Sequence, residues 1–131
     1  MAHVLVVEDD ASIRETLRFI LEDGGHEVQE AEDGVEALAA LRATRTPMVV
    51  LLDVLMPRMG GREVLRAVAE DGRLAERHAY ILVTATSETF PLEFANLLTR
   101  MQVPVIAKPF DIDRLLGGVG AAAQRLSAGM R

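Results

Sequence analysis

Asp53 ends the apolar run Met48-Val49-Val50-Leu51-Leu52 and opens the turn Asp53-Val54-Leu55-Met56-Pro57, ahead of Gly60-Gly61. A carboxylate at the end of a core strand is costly to desolvate unless something pairs with it. Glu8-Asp9, Thr84 and Lys108 follow apolar runs in the same way. Three clustered carboxylates repel one another unless a cation sits among them or their pKa values rise. Oxygen ligands with room for water suit Mg²⁺ better than zinc, and no His or Cys cluster offers a softer set. Lys108 adds a positive charge and Thr84 a hydroxyl donor. These are the parts needed to hold a phosphoryl group: metal and lysine neutralise the developing charge while Asp53 attacks as nucleophile.

Taken singly, each residue has an ordinary explanation. Asp9 or Asp10 can cap the following helix, and Asp53 can open a turn. Thr84 can finish a strand and Lys108 can be a solvated charge. Together, four strand ends with four suitable residue types on one edge describe a site.

The elements that must position them alternate. His3-Val4-Leu5-Val6-Val7 reads as the first strand. Ile13, Leu17, Ile20 and Leu21 follow at helical spacing after Asp10-Ala11-Ser12, and Gly24-Gly25 ends that helix. Glu27-Val28-Gln29-Glu30-Ala31 reads as an edge strand. Asp33-Gly34 opens a second helix, with Val35, Leu38 and Leu41 on one face, and Thr46-Pro47 punctuates it. A third helix carries Val64, Leu65 and Val68 and fades through Asp71-Gly72. Tyr80-Ile81-Leu82-Val83 is the fourth strand, with a loop beginning at Thr84-Ala85-Thr86-Ser87. Pro91 suits the start of a helix with Phe94, Leu97, Leu98 and Met101 on one face. Val103-Pro104-Val105-Ile106-Ala107 is the fifth strand, its proline suited to a strand start or an edge. Asp111 caps a last helix with Ile112, Leu115, Leu116 and Val119, and the Gly- and Ala-rich stretch from Gly117 onward is expected to fray at its end. Near-continuous apolar strands alternating with helices predict an α/β domain, a doubly wound parallel sheet with helices on both faces. Ligands bind such sheets at the carboxyl ends of the strands, where the polar residues lie.

Composition narrows the function. The 131 residues fit one domain spanning 1–131, with a core of about 3–126 and a fraying tail at 127–131. No apolar stretch approaches membrane-spanning length, no basic start followed by an apolar h-region suggests a secretory signal, and no cysteine supports disulfide or thiolate chemistry, so a cytoplasmic setting is expected. A net charge of −6 without a basic stripe argues against direct nucleic-acid binding. His3, His26 and His78 carry no phosphorylation context and are expected at the surface or at strand edges.

The ordered set Val6-Val7-Glu8-Asp9-Asp10, Leu52-Asp53-Val54-Leu55-Met56-Pro57, Val83-Thr84-Ala85 and Ala107-Lys108-Pro109-Phe110 resembles the receiver domain of two-component response regulators, from Val4 to about Leu126. No single motif is specific, but the ordered set is. The resemblance implies a flavodoxin-like (βα)5 fold with strand order 2-1-3-4-5. It implies that Asp53 accepts a phosphoryl group from a phosphohistidine on a sensor histidine kinase or phosphotransfer protein. Glu8 and Asp9 match the acidic pair that holds Mg²⁺ (or Mn²⁺ in its place), with Asp53 and the Leu55 backbone carbonyl completing the protein ligands. Thr84 and Lys108 match the hydroxyl and amine that contact the phosphoryl oxygens. On phosphorylation the family rearranges a face built from its fourth helix, fifth strand and fifth helix, to bind a downstream protein or a second copy of itself.

Two departures carry information. Val105 stands where the family often has Tyr or Phe, and Met101-Gln102-Val103-Pro104 replaces the common Gly-Ala-Asp turn. Leu55 offers no donor or acceptor to position a hydrolytic water, so slow self-dephosphorylation is expected. Leu55 also occupies the place where an aspartyl-nucleophile phosphatase needs its general acid, which argues against a turning-over enzyme. The remaining alternative is a degenerate receiver that only binds proteins. The intact set of acidic pair, Asp53, Thr84 and Lys108 argues against it. A stand-alone receiver is expected, signalling by phosphorylation-dependent binding or phosphorelay.

Overall fold

The computed structural model describes residues 2–85 and 89–129. The strands are β1 (His3–Val7), β2 (Glu27–Ala31), β3 (Val49–Asp53), β4 (Ala79–Ala85) and β5 (Val105–Lys108). The helices are α1 (Ala11–Asp23), α2 (Gly34–Ala43), α3 (Gly61–Glu70), α4 (Gly72–Arg77), α5 (Leu92–Met101) and α6 (Ile112–Gly129). Among the described residues the strands form one parallel sheet in the order β2-β1-β3-β4-β5. This is the doubly wound α/β architecture the sequence predicts.

Side-chain alternation explains the two-sided core. Leu5, Val7, Val50 and Leu52 point to one face and pack with Leu38, Leu41, Val64, Leu65 and Phe94. Val4, Val6, Val49 and Leu51 point to the other and pack with residues of α1 and α6 such as Leu17, Leu21, Leu115 and Val119. Burying both faces leaves β1 and β3 rigid, and their carboxyl ends become fixed mounts for polar groups.

Four details differ from the sequence reading. Asp71-Gly72 is not a fade-out: the Asp71 side chain accepts from Arg73 N and starts α4, which buries Leu74. The helix counted fourth from the sequence is therefore α5. Thr84 and Ala85 belong to the β4 ladder rather than a loop, while Thr86 and Ser87 lie outside the described residues. Pro104 sits just ahead of β5, where its carbonyl accepts from Leu82 N, so the missing proline N–H costs the ladder nothing. Residues 127–129, expected to fray, are helical, because α6 is anchored by Leu115, Val119 and Ala122 packed under the sheet.

His78 also departs from expectation: it is buried rather than exposed. Its Nδ1 accepts from Met48 N at 3.0 Å. Burial, helped by the charge of Arg77, pushes this imidazole down to about 4 from 6.5. The folded chain thus refuses a proton that the unfolded chain accepts. The stability from this group is present above pH 6.5 and lost as pH falls towards 4, on the order of 3 kcal/mol across the window. In urea titrations from pH 7 to 4, wild type should lose that much relative to His78→Asn, which cannot titrate. A difference between the two that stays constant with pH would exclude this account.

Candidate functional site

The parallel register brings the site together. Val7 lies opposite Leu52, Asp53 opposite Val83, and Ala85 opposite Lys108. Glu8, Asp53, Thr84 and Lys108 therefore leave four adjacent strands at one edge of the sheet. Glu8, Asp53 and Thr84 are buried, Lys108 is partly buried and Asp9 is exposed.

Lys108 Nζ lies 3.3 Å from Glu8 Oε2 and 3.3 Å from Asp53 Oδ2, an ammonium bridging two buried carboxylates. Lys108 is also the only lysine in the sequence. Glu8 accepts from Asp10 N through Oε1, and its carbonyl accepts from Arg14 Nη1 at 2.8 Å, which fixes the chain just past β1. Asp10 rather than Asp9 caps α1, accepting from Ile13 N. That leaves the Asp9 carboxylate for the pocket. Thr84 Oγ1 lies 3.4 Å from the Ala85 carbonyl oxygen, a weak contact that leaves the hydroxyl free to turn.

The turn after Asp53 is held by close backbone packing. Val54 N donates to Val83 O, and Gly61 N donates to Val54 O. A Cβ on Gly61 would stand 2.6 Å from Asp53 O, and one on Gly60 would stand 2.3 Å from Val54 O. Only glycine permits this approach, which keeps the start of α3 directly behind Asp53.

Electrostatically the pocket is crowded with negative charge. Burial pushes the Glu8 carboxyl up to about 7, the Asp53 charge adds to it, and Lys108 opposes without winning. Burial acts on Lys108 in the opposite sense, yet the charges of Asp53 and Glu8 hold its ammonium above the ordinary lysine value. Carboxylate oxygens of Glu8, Asp9 and Asp53 all lie within 4.8 Å of one another. An all-oxygen set so close, with a lysine already drawn into it, fits a hard divalent cation such as Mg²⁺.

Distances thus join Glu8, Asp9, Asp53 and Lys108, and the ladder puts Thr84 beside them. Leu55 is in the turn two residues past Asp53, with an exposed side chain. Sequence reasoning missed Arg14, whose only signal is its place one turn into α1, and it missed the buried Asp33, which resembles an ordinary helix cap.

Residues 4–119 match the family model for the response regulator receiver domain. Response regulator MprA of Mycobacterium sp. strain KMS is 37% identical over 124 residues, covering 95% of this chain and 51% of that protein. The chain spans about half the length of the curated relatives it matches. A CheY-like receiver domain protein from Methanospirillum hungatei superposes with a TM-score of 0.84 at 29% identity, covering 96% of this chain and 97% of that one. Vibrio cholerae chemotaxis protein CheY4 gives 0.76 at 33% identity, covering 93% and 98%.

Proposed function

The chain belongs to the response regulator receiver domain family of two-component systems, and on that premise we propose that Asp53 is its phosphoacceptor, charged from a phosphohistidine on a sensor kinase or phosphotransfer protein. The observation that carries this reading is the buried Asp53 carboxylate bridged by Lys108 to Glu8, with Asp9 within reach.

Glu8, Asp9 and Asp53, with the Leu55 carbonyl, would hold Mg²⁺, which when bound supplies charge neutralisation at the phosphoryl oxygens. Asp53 attacks phosphorus as the P–N bond to the donor histidine breaks, and that bond's electron pair stays on the imidazole. The new bond is an acyl phosphate, Asp53 O–P. Lys108 moves its ammonium onto a phosphoryl oxygen, and Thr84 donates its hydroxyl to another. A recess of about 480 Å³ beside Lys108, lined by Ile13, Thr16, Pro109 and Phe110 among others, offers apolar surface against which a donor protein can seat.

The product is a held acyl phosphate rather than a turnover. No acid stands at Leu55, so the chain is a signalling phosphoacceptor and not a phosphatase. Its charge of −6 supports protein partners over nucleic acid, and no helix among the described residues is long and apolar enough to cross a membrane. Its place is proposed to be the cytoplasm, where kinase and downstream protein are both met.

Incubation with acetyl phosphate and Mg²⁺ followed by intact mass measurement tests the reading. One added phosphoryl mass supports it; no adduct, with or without Mg²⁺, leaves only a phosphorylation-independent binding module. The lifetime is a separate expectation. Leu55→Asn places an amide where water can be held, and decay of the adduct should quicken by about tenfold. Identical decay in both proteins would remove Leu55 from the explanation.

A further inference from the structure

The turn from Val54 to Gly60 carries the Leu55 carbonyl, and its far end is tied to a different part of the molecule. Arg58 has φ 63°, a left-handed conformation that a non-glycine residue adopts only at a cost. Its side chain is well exposed, yet its guanidinium reaches Asp33, one of the most buried carboxylates in the chain. Nε donates to Asp33 Oδ2 at 2.7 Å, and Nη2 donates to the same oxygen. The other oxygen of Asp33 accepts from Glu36 N at 3.0 Å and caps α2. Gly34 N donates to Met59 O at 2.8 Å, a second tie one residue further along.

The turn is therefore strung between two fixed points, the end of β3 and the first turn of α2. Leu55 lies between them, three residues before Arg58. The guanidinium supplies the buried Asp33 carboxylate with a counter-charge, and in doing so it holds the left-handed backbone at Arg58 in place. We propose that Arg58 is a positioning residue for the metal pocket: clamped on Asp33, it sets the turn that presents the Leu55 carbonyl to a divalent cation. Groups that orient a metal's ligands without touching it typically matter for affinity. The clamp spans 25 residues of sequence and joins the β2–α2 end of the domain to the site at Asp53.

This inference rests on the metal-binding reading above, and its test separates the two. Mg²⁺ is titrated into metal-free protein by calorimetry, with the ¹³C resonance of the Leu55 carbonyl followed in parallel. Arg58→Ala is expected to weaken Mg²⁺ binding about tenfold and to blunt the Leu55 carbonyl shift. Asp33→Asn keeps an oxygen to cap α2 and should weaken binding similarly. The double variant should lose no more than either single one, since both remove the same contact. Arg58→Lys, which can make one of the two hydrogen bonds, should recover part of the affinity. Melting in EDTA checks that Arg58→Ala is folded, and the lysine variant carries the test if it is not. Wild-type affinity in Arg58→Ala and Asp33→Asn would overturn the clamp while leaving the metal site intact. Absence of Mg²⁺ binding in wild type itself would overturn the metal reading and the clamp with it.

Discussion

Asp53→Asn is expected to gain no phosphoryl mass from acetyl phosphate and Mg²⁺ under conditions that fully modify wild type. The amide is nearly isosteric with the carboxylate but has no anionic oxygen to attack phosphorus, so the loss is all-or-none. The fold should survive. Asp53 is one of two carboxylates bridged by Lys108, and Glu8 remains to hold that ammonium. Removing the Asp53 charge also removes one of the influences raising the Glu8 carboxyl, so Glu8 should ionise more readily in the variant. Intact mass and thermal melting in parallel check both halves. An adduct on Asp53→Asn would place the acceptor elsewhere, and a collapsed fold would make Asp53 a structural residue first.

The framework of this site was legible because burial on both faces leaves a strong mark. β1 and β3 are unbroken apolar runs, and a polar residue at the end of such a run stands out. Glycine pairs and acidic caps marked the helix boundaries, and Asp33 and Asp111 both accept from backbone N–H groups as caps should. What was hidden has a common physical origin. α4 has six residues, shorter than the window over which helical periodicity can be counted. His78 is polar by type, and only its tertiary contacts, with Met48 N and the Tyr80 ring among them, show that it is buried. Asp33 reads as a cap and is one, but its second oxygen belongs to Arg58, and nothing in the local pattern announces a partner that distant. Thr84 was placed correctly at the edge of the sheet, yet as a loop residue, because periodicity cannot show how far β5 extends the ladder.

Lys108→Ala should separate metal binding from phosphoryl transfer. The ammonium sits 3.3 Å from both Glu8 and Asp53, so its charge competes with any cation for the oxygens that would hold Mg²⁺. Removing it leaves carboxylates whose mutual repulsion an incoming cation relieves, so Mg²⁺ affinity should rise severalfold. The comparison belongs above pH 8, because loss of Lys108 raises the Glu8 carboxyl further and a proton would otherwise compete with the metal. Phosphorylation should move the opposite way. Lys108 is the group placed to meet charge on the phosphoryl oxygens, and losing such a contact typically slows transfer by about 10²–10³. Lys108→Arg should not rescue it, since a planar guanidinium cannot occupy the compact position between two carboxylates 3.3 Å away on either side. Tighter Mg²⁺ with slower phosphorylation in the same variant assigns Lys108 to the chemistry. Weaker Mg²⁺ would mean that the lysine organises the carboxylates instead of competing for them, and unchanged phosphorylation would remove it from the transfer step.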